Sequence, residues 1–134
     1  MFKQIVVREV QNSKWVRGVK QFQKDHGENQ LASAMLIADK IPDANLKIGL
    51  ATKNDIIHLH VWIEVYGNQI EVGLDDEGWE DYQTNIDLFI KKLNVSKKDK
   101  REMKKTVKKL RNQIGQTMIS DFYQDMRDFC QYYY

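Results

Sequence analysis

The chain has 134 residues, a net charge of +2, and a composition that is 42% hydrophobic and 30% charged, enough for one core and too apolar for a disordered chain. No apolar run approaches the ~20 residues of a membrane span, the N-terminal MFKQIVVREV lacks the apolar centre of a secretory signal, and the single cysteine, Cys130, excludes an intramolecular disulfide. These features predict one domain over residues 1–134, in a reducing cytoplasm and without a membrane partner.

FKQIVVREV (2–10) is read as a first strand. Ser13 is the expected N-cap of a helix in which Trp15, Val19 and Phe22 recur at helical spacing, and DHGEN (25–29) breaks it. QLASAMLIADKI lies in a helix placed at 29–41 and is apolar on nearly all sides, the mark of a helix packed on several faces, with Pro42-Asp43 as its exit. Leu46, Ile48 and Leu50 alternate along a strand at 45–52. The clearest alternation follows at 56–66: Ile57, Leu59, Val61, Ile63 and Val65 share one face, and His58, His60, Trp62, Glu64 and Tyr66 the other. Gly67-Asn68 reads as a two-residue turn, which pairs Glu64 with Glu71, Trp62 with Gly73 and His60 with Asp75 in a hairpin over 56–75.

Beyond the hairpin, Trp79, Tyr82, Ile86, Phe89 and Leu93 fit one side of a helix at 79–93. Ser96 caps a further helix, with Asp99 at the capping-box position. Its apolar stripe of Met103, Val107, Leu110, Ile114, Met118, Phe122, Met126 and Phe129 keeps spacings of three and four, predicting one long helix over 97–131, or two in line with a weak point at Gly115. The fold class is therefore α+β. A small antiparallel sheet, comprising the hairpin 56–75, strand 45–52 and strand 2–10, packs on the buried helix, and the C-terminal helices complete the domain.

Three features carry candidate chemistry. Cross-strand neighbours stand roughly 4.5–5.5 Å apart at Cβ, so Asp75 opposite His60 would orient the imidazole as in a nucleophilic hydrolase. HVWIEVYG (60–67), Asp75, and the helix opened by GENQLASAMLIA (27–38) together resemble the transglutaminase-like and papain-like cysteine peptidases, over 27–76 only. That superfamily carries a nucleophilic Cys at the start of the buried helix, the His on the strand and the Asp on the next. The resemblance implies a degenerate member, a pseudoenzyme, because Asn29 stands where the thiolate is required and Ser33 lies a turn further in. The enzyme alternative is a hydrolase or transferase using the His60–Asp75 dyad with an unidentified nucleophile. A second alternative is metal binding by His58, His60 and Glu64, with Glu71 on the same face. A half-buried hairpin with one wet face shows the same alternation with no function at all. No cofactor is expected.

The third feature is charge. Residues 91–111 hold 11 Lys and Arg against two acids, a local charge of +9, which leaves −7 for the rest of the chain. Lys97, Lys98, Lys100, Arg101, Lys104, Lys105, Lys108, Lys109 and Arg111 leave only the Met103/Val107/Leu110 stripe for packing. Such density attracts polyanions by counterion release, and lysines in the first turn oppose the helix dipole. No aromatic residue is interleaved for base stacking. The tail DFYQDMRDFCQYYY offers a candidate aromatic surface for a partner or for a homodimer. The expectation is a non-catalytic binding or inhibitor protein, of the kind a phage or plasmid carries. It would dock a nucleic acid or acidic protein through the basic helix and the polar hairpin face of His58, His60, Trp62, Glu64 and Glu71.

Overall fold

The computed structural model describes residues 2–91 and 95–134. It is an α+β structure in which a four-stranded antiparallel sheet is covered by helices. The chain runs α1 (Phe2–Gln11), α2 (Lys14–His26), α3 (Gln30–Lys40), β1 (Ala44–Lys53), β2 (Ile56–Val65), β3 (Asn68–Ile70), β4 (Trp79–Gln83), α4 (Ile86–Lys91), α5 (Lys97–Asn112), α6 (Ile114–Met118) and α7 (Asp121–Tyr133). The strands lie in the order β3-β2-β1-β4. Three strands form a meander and the fourth returns beside the first, a Greek-key order.

Local signals explain α2 and α3. Ser13 accepts a hydrogen bond from the Val16 N–H at 3.2 Å, and Asn29 Oδ1 accepts from the Ala32 N–H at 3.0 Å, so each helix starts on a polar side chain that satisfies a free amide. Residues Leu31 to Ile37 of α3 are all buried. This helix fills the space between the apolar sheet face (Ile48, Val61, Ile63, Val65) and the helices α2, α6 and α7.

Residues 2–10 are a helix, not the expected strand. Val6 and Val10, four apart, reach the core while Ile5 stays exposed, so tertiary burial at helical spacing overrides the strand preference of the Ile/Val run. The expected helix 79–93 is also corrected. Residues 79–83 pair with the free side of β1, and only 86–91 are helical; Leu93 and Asn94 lie outside the described residues. Trp79 and Tyr82 are three apart, which suggested a helix. A register shift opposite Leu50/Thr52 and Asp81 at φ 54° instead turn both rings to the same sheet face. Thr52 Oγ1 fastens this bulge, donating to Asp81 Oδ2 at 2.8 Å.

The hairpin turn sits one residue earlier than expected, at Tyr66 (φ 49°) and Gly67 (φ 79°), as a primed turn requires. Moving the turn by one residue moves the pairing by two: Val65 faces Asn68, Glu64 faces Gln69 and Ile63 faces Ile70. A two-residue shift leaves every side chain on its own face, so the alternation that excludes a one-residue slip is blind to it. The expected pairs Glu64–Glu71 and His60–Asp75 are both replaced.

The expected helix over 97–131 is three helices. The chain breaks at Gln113 and at Ile119-Ser120, while Gly115 lies inside α6. Ser120 restarts it, its Oγ accepting from the Tyr123 N–H at 3.2 Å. The breaks let α5 pack on β1, β2 and α4 while α7 turns back to cover α2 and α3. At that contact, a Cβ on Gly18 would stand 2.5 Å from Cys130 Sγ, so glycine sets how closely α2 and α7 approach.

Candidate functional site

The polar sheet face is a closed cluster. His60 Nε2 and Glu71 Oε1 share a hydrogen bond of 2.7 Å, and Tyr82 OH donates to Glu71 Oε2 at 2.6 Å. Glu71 lies two residues beyond Gln69, the partner of Glu64, which makes it a diagonal neighbour of His60 within reach of a long side chain. Trp79 stacks on the imidazole at 3.7 Å between ring centres and 15° between planes. Trp62 and Tyr82 close the other side. Gly49 faces His60 across β1 and β2, and a Cβ there would meet Gln83 O at 2.3 Å and Thr84 Cα at 2.9 Å. The chain after β4 therefore lies directly on that glycine.

His60 is 2% exposed and Glu71 8%, which denies a substrate access to the imidazole. Burial first, and then the bond to the Glu71 carboxylate, push the Tyr82 phenol far above its ordinary range, so it stays a hydrogen-bond donor. The Trp62 indole N–H is buried and has no hydrogen-bond partner among the described residues. Orphaning such a donor costs about 1–3 kcal/mol. Asp75, the expected orienter, is exposed and ion-paired with Lys53, and its carbonyl accepts from Trp79 Nε1 at 2.9 Å.

Asn29, where the resemblance would place a nucleophile, has a structural role. Asn29 caps α3, and the buried Ser33 hydroxyl donates to the Asn29 carbonyl at 2.8 Å. Cys130 is buried against Gly18 on α2, and desolvation pushes its thiol up to about 11, a poor nucleophile at neutral pH. Among the described residues, no three His, Cys, Asp or Glu side chains converge to hold a metal ion. His58 is turned to the edge of Trp79 instead, and Glu64 stands opposite Gln69, so the alternative ligand set of His58, His60 and Glu64 does not converge.

The basic helix is the open counterpart. Val107 is buried, and Met103, Leu110 and Ile114 are partly buried against the core. With about 100° of turn per residue, Arg111, Lys104, Lys97, Lys108, Arg101, Lys105, Lys98 and Lys109 follow one another around one side of α5. Glu102 borders this row beside Lys109, and Asp99 falls on the other side. Lys104 pairs with Asp87 at 2.5 Å, which holds that carboxyl below its ordinary range, and Arg111 Nη2 donates to the Ile48 carbonyl at 3.2 Å. Lys97, Lys98, Lys100, Arg101, Lys105, Lys108 and Lys109 have no acidic partner within 4.0 Å among the described residues.

The structure adds two residues to this surface that charge counting along the chain missed. β4 pairs with β1 only from Leu50 onward, so among the described residues no strand lies beside this edge of β1 from Ala44 to Ile48, and Arg111 donates to its Ile48 carbonyl. Arg111 stands between two grooves. One, of about 380 Å³, includes Lys47, Thr84 and Ile114. The other, of about 500 Å³, includes Thr84, Asp87, Lys104 and Lys108. Lys47 and Thr84 are distant in sequence and join the basic helix only through the sheet. No protein-family model, curated protein or solved structure matches the chain.

Proposed function

We propose that the protein is a non-catalytic binding module that holds the phosphate backbone of a nucleic acid on α5 and the two grooves beside Arg111. The supporting observation is the row of α5 cations, most of them without an acidic partner among the described residues, exposed on one side of a helix anchored by its opposite stripe. Protein interfaces depend on aromatic and aliphatic anchors at their centre. The outward side of α5 has none, whereas phosphate contacts need only Lys and Arg. The absence of aromatics favours tracking of a duplex backbone over stacking of single-stranded bases. Nothing on the helix reads base edges in a pattern, so binding is independent of sequence. The Asn29 cap and the enclosed His60 support a role without covalent chemistry, and they leave room for descent from a cysteine-peptidase-like scaffold that lost its nucleophile.

The test is fluorescence anisotropy with a labelled DNA duplex across a salt series. With roughly five phosphates neutralised, the slope of log K against log salt is about −4.5. Replacing Lys105, Lys108 and Lys109 with Glu lowers affinity by at least about tenfold at low salt. A triple variant that binds duplex as well as the parent sinks the proposal. Tighter binding of polyglutamate than of duplex transfers the surface to an acidic protein partner.

A further inference from the structure

A second surface, of opposite charge, lies on the helical layer. Between the C-terminal half of α2 and one side of α7 runs a groove of about 700 Å³. Phe22, Phe122 and Phe129 form its floor. Phe22 meets Phe122 edge-on at 5.2 Å and Phe129 at 5.6 Å. Tyr132 and Tyr133 form its end and are 74% and 78% exposed, large for aromatic residues in an ordered helix. Asp125 and Asp128 stand among these rings, because positions 122, 125, 128/129 and 132 follow the three-and-four spacing of one helix face. Asp125 has no cationic partner among the described residues, and Asp128 has only a 3.7 Å contact from the adjacent Arg127.

We infer that this groove is a docking site for a partner-protein segment that presents an arginine between apolar residues. The chemistry is complementary at each level. The aliphatic stem lies on Phe122 and Phe129, the guanidinium reaches Asp125 and Asp128, and the aromatic faces add cation–π attraction. The same end of the molecule already holds a guanidinium this way, with Arg17 5.4 Å from the centre of the Tyr134 ring. Carboxylates on the groove repel phosphate, which excludes nucleic acid and anionic lipid as occupants. The outward side of α5 is a poor occupant from a second copy, because its cations have no apolar residue between them to fill the aromatic floor. The site shares no element with α5, so the protein is built to join an anionic ligand on one side to a basic protein segment on the other.

The test uses a fluorescein-labelled 12-residue helical peptide of alternating Leu and Arg turns, and the same peptide with citrulline, the neutral isostere, in place of Arg. The Arg peptide binds, and citrulline weakens binding at least tenfold. Asp125→Asn with Asp128→Asn gives a loss of similar size, and Tyr133→Ala a several-fold loss. The Lys105, Lys108 and Lys109 to Glu variant binds the peptide unchanged, which separates this site from the α5 surface. Should the double Asn variant misfold by circular dichroism, Tyr132→Ser, at a largely exposed position of the groove's end, carries the same test. Equal affinity for the citrulline peptide, or no effect of the Asp and Tyr substitutions, overturns the inference. So does concentration-dependent dimerisation, abolished by the Asp substitutions, in a protein that ignores the peptide.

Discussion

The two polar regions of this molecule use charge in opposite ways. Around His60, a glutamate, a tyrosine and two tryptophans are packed together between β2 and β4, and hydrogen bonds inside the cluster satisfy most of their polar atoms. Along α5, nine cations stand on a helix that buries little more than Val107; among the described residues one pairs with a carboxylate, one binds a backbone carbonyl and seven do neither. The first arrangement stabilises and is inaccessible. The second is accessible and contributes little to stability, since exposed charges are worth at most about 1 kcal/mol each. Residue types associated with catalysis are therefore a poor guide here; exposure and lack of partners locate the working surface.

Several substitutions break or sharpen this contrast. The largest effect is expected from Gly49→Ala. Its Cβ would strike the backbone at Gln83 and Thr84, which cannot swing aside as a side chain does, and overpacking of this kind costs about 3 kcal/mol or more. Chemical denaturation measures it, with Gly115→Ala as control: a Cβ at Gly115 meets nothing within 4 Å, and removing a helical glycine gains about 0.5–1 kcal/mol. A tolerated Gly49→Ala would mean that the cluster is open.

Next comes Glu71→Ala, which leaves His60 Nε2 and Tyr82 OH without their shared partner and costs roughly 2–4 kcal/mol. Glu71→Gln keeps one acceptor and one donor and costs less. Near-UV circular dichroism of Trp62 and Trp79 reports whether the aromatic stack survives. If both variants unfold at the parent's denaturant midpoint, the cluster is not a structural element, and the enzyme reading returns.

A smaller effect, confined to alkaline pH, tests the α2–α7 contact. The unfolded Cys130 thiol ionises near its ordinary value of ~8.5, while the folded one keeps its proton up to about 11. The unfolded state is thus the better acid, and stability is full below the lower value and lost as pH rises toward the higher one. Cys130→Ala removes this slope between about pH 9 and 11. The native thiol resists alkylation at pH 8, whereas the unfolded one reacts; rapid labelling of the folded protein would contradict the packing.

What was legible in the sequence follows the same division between local and distant causes. Ser13 and Ser96 mark helix starts because a cap is a contact within three residues, and the apolar 30–37 segment announces a central helix from its own composition, although the sequence reading missed Asn29 as its cap. The basic row on α5 was legible because all its charges lie on one element. β4 was hidden by its bulge, which puts residues three apart on one face as a helix does. The partner of His60 was hidden because a turn shifted by one residue preserves the pattern of faces while replacing Asp75 with Glu71. Lys47 and Thr84 joined the basic surface only through the fold, and the aromatic tail could not disclose that Phe22 completes its groove.

The smallest stability effect bears most directly on why the basic surface exists. Lys97 and Lys98 occupy the first turn of α5, where the amide dipoles favour negative charge; Asp99 is the only acid there. Lys98→Glu should therefore raise stability by about 0.3–1 kcal/mol at low salt, an increment that fades as salt screens the dipole. The same substitution places a carboxylate in the cationic row and weakens duplex binding. Opposite signs in the two measurements would show that the helix keeps these lysines against its own stability, as a binding surface does. If Lys98→Glu stabilises the fold and leaves duplex affinity intact, the first turn lies outside the contact, and the phosphate path narrows to Arg101 and the grooves beside Arg111.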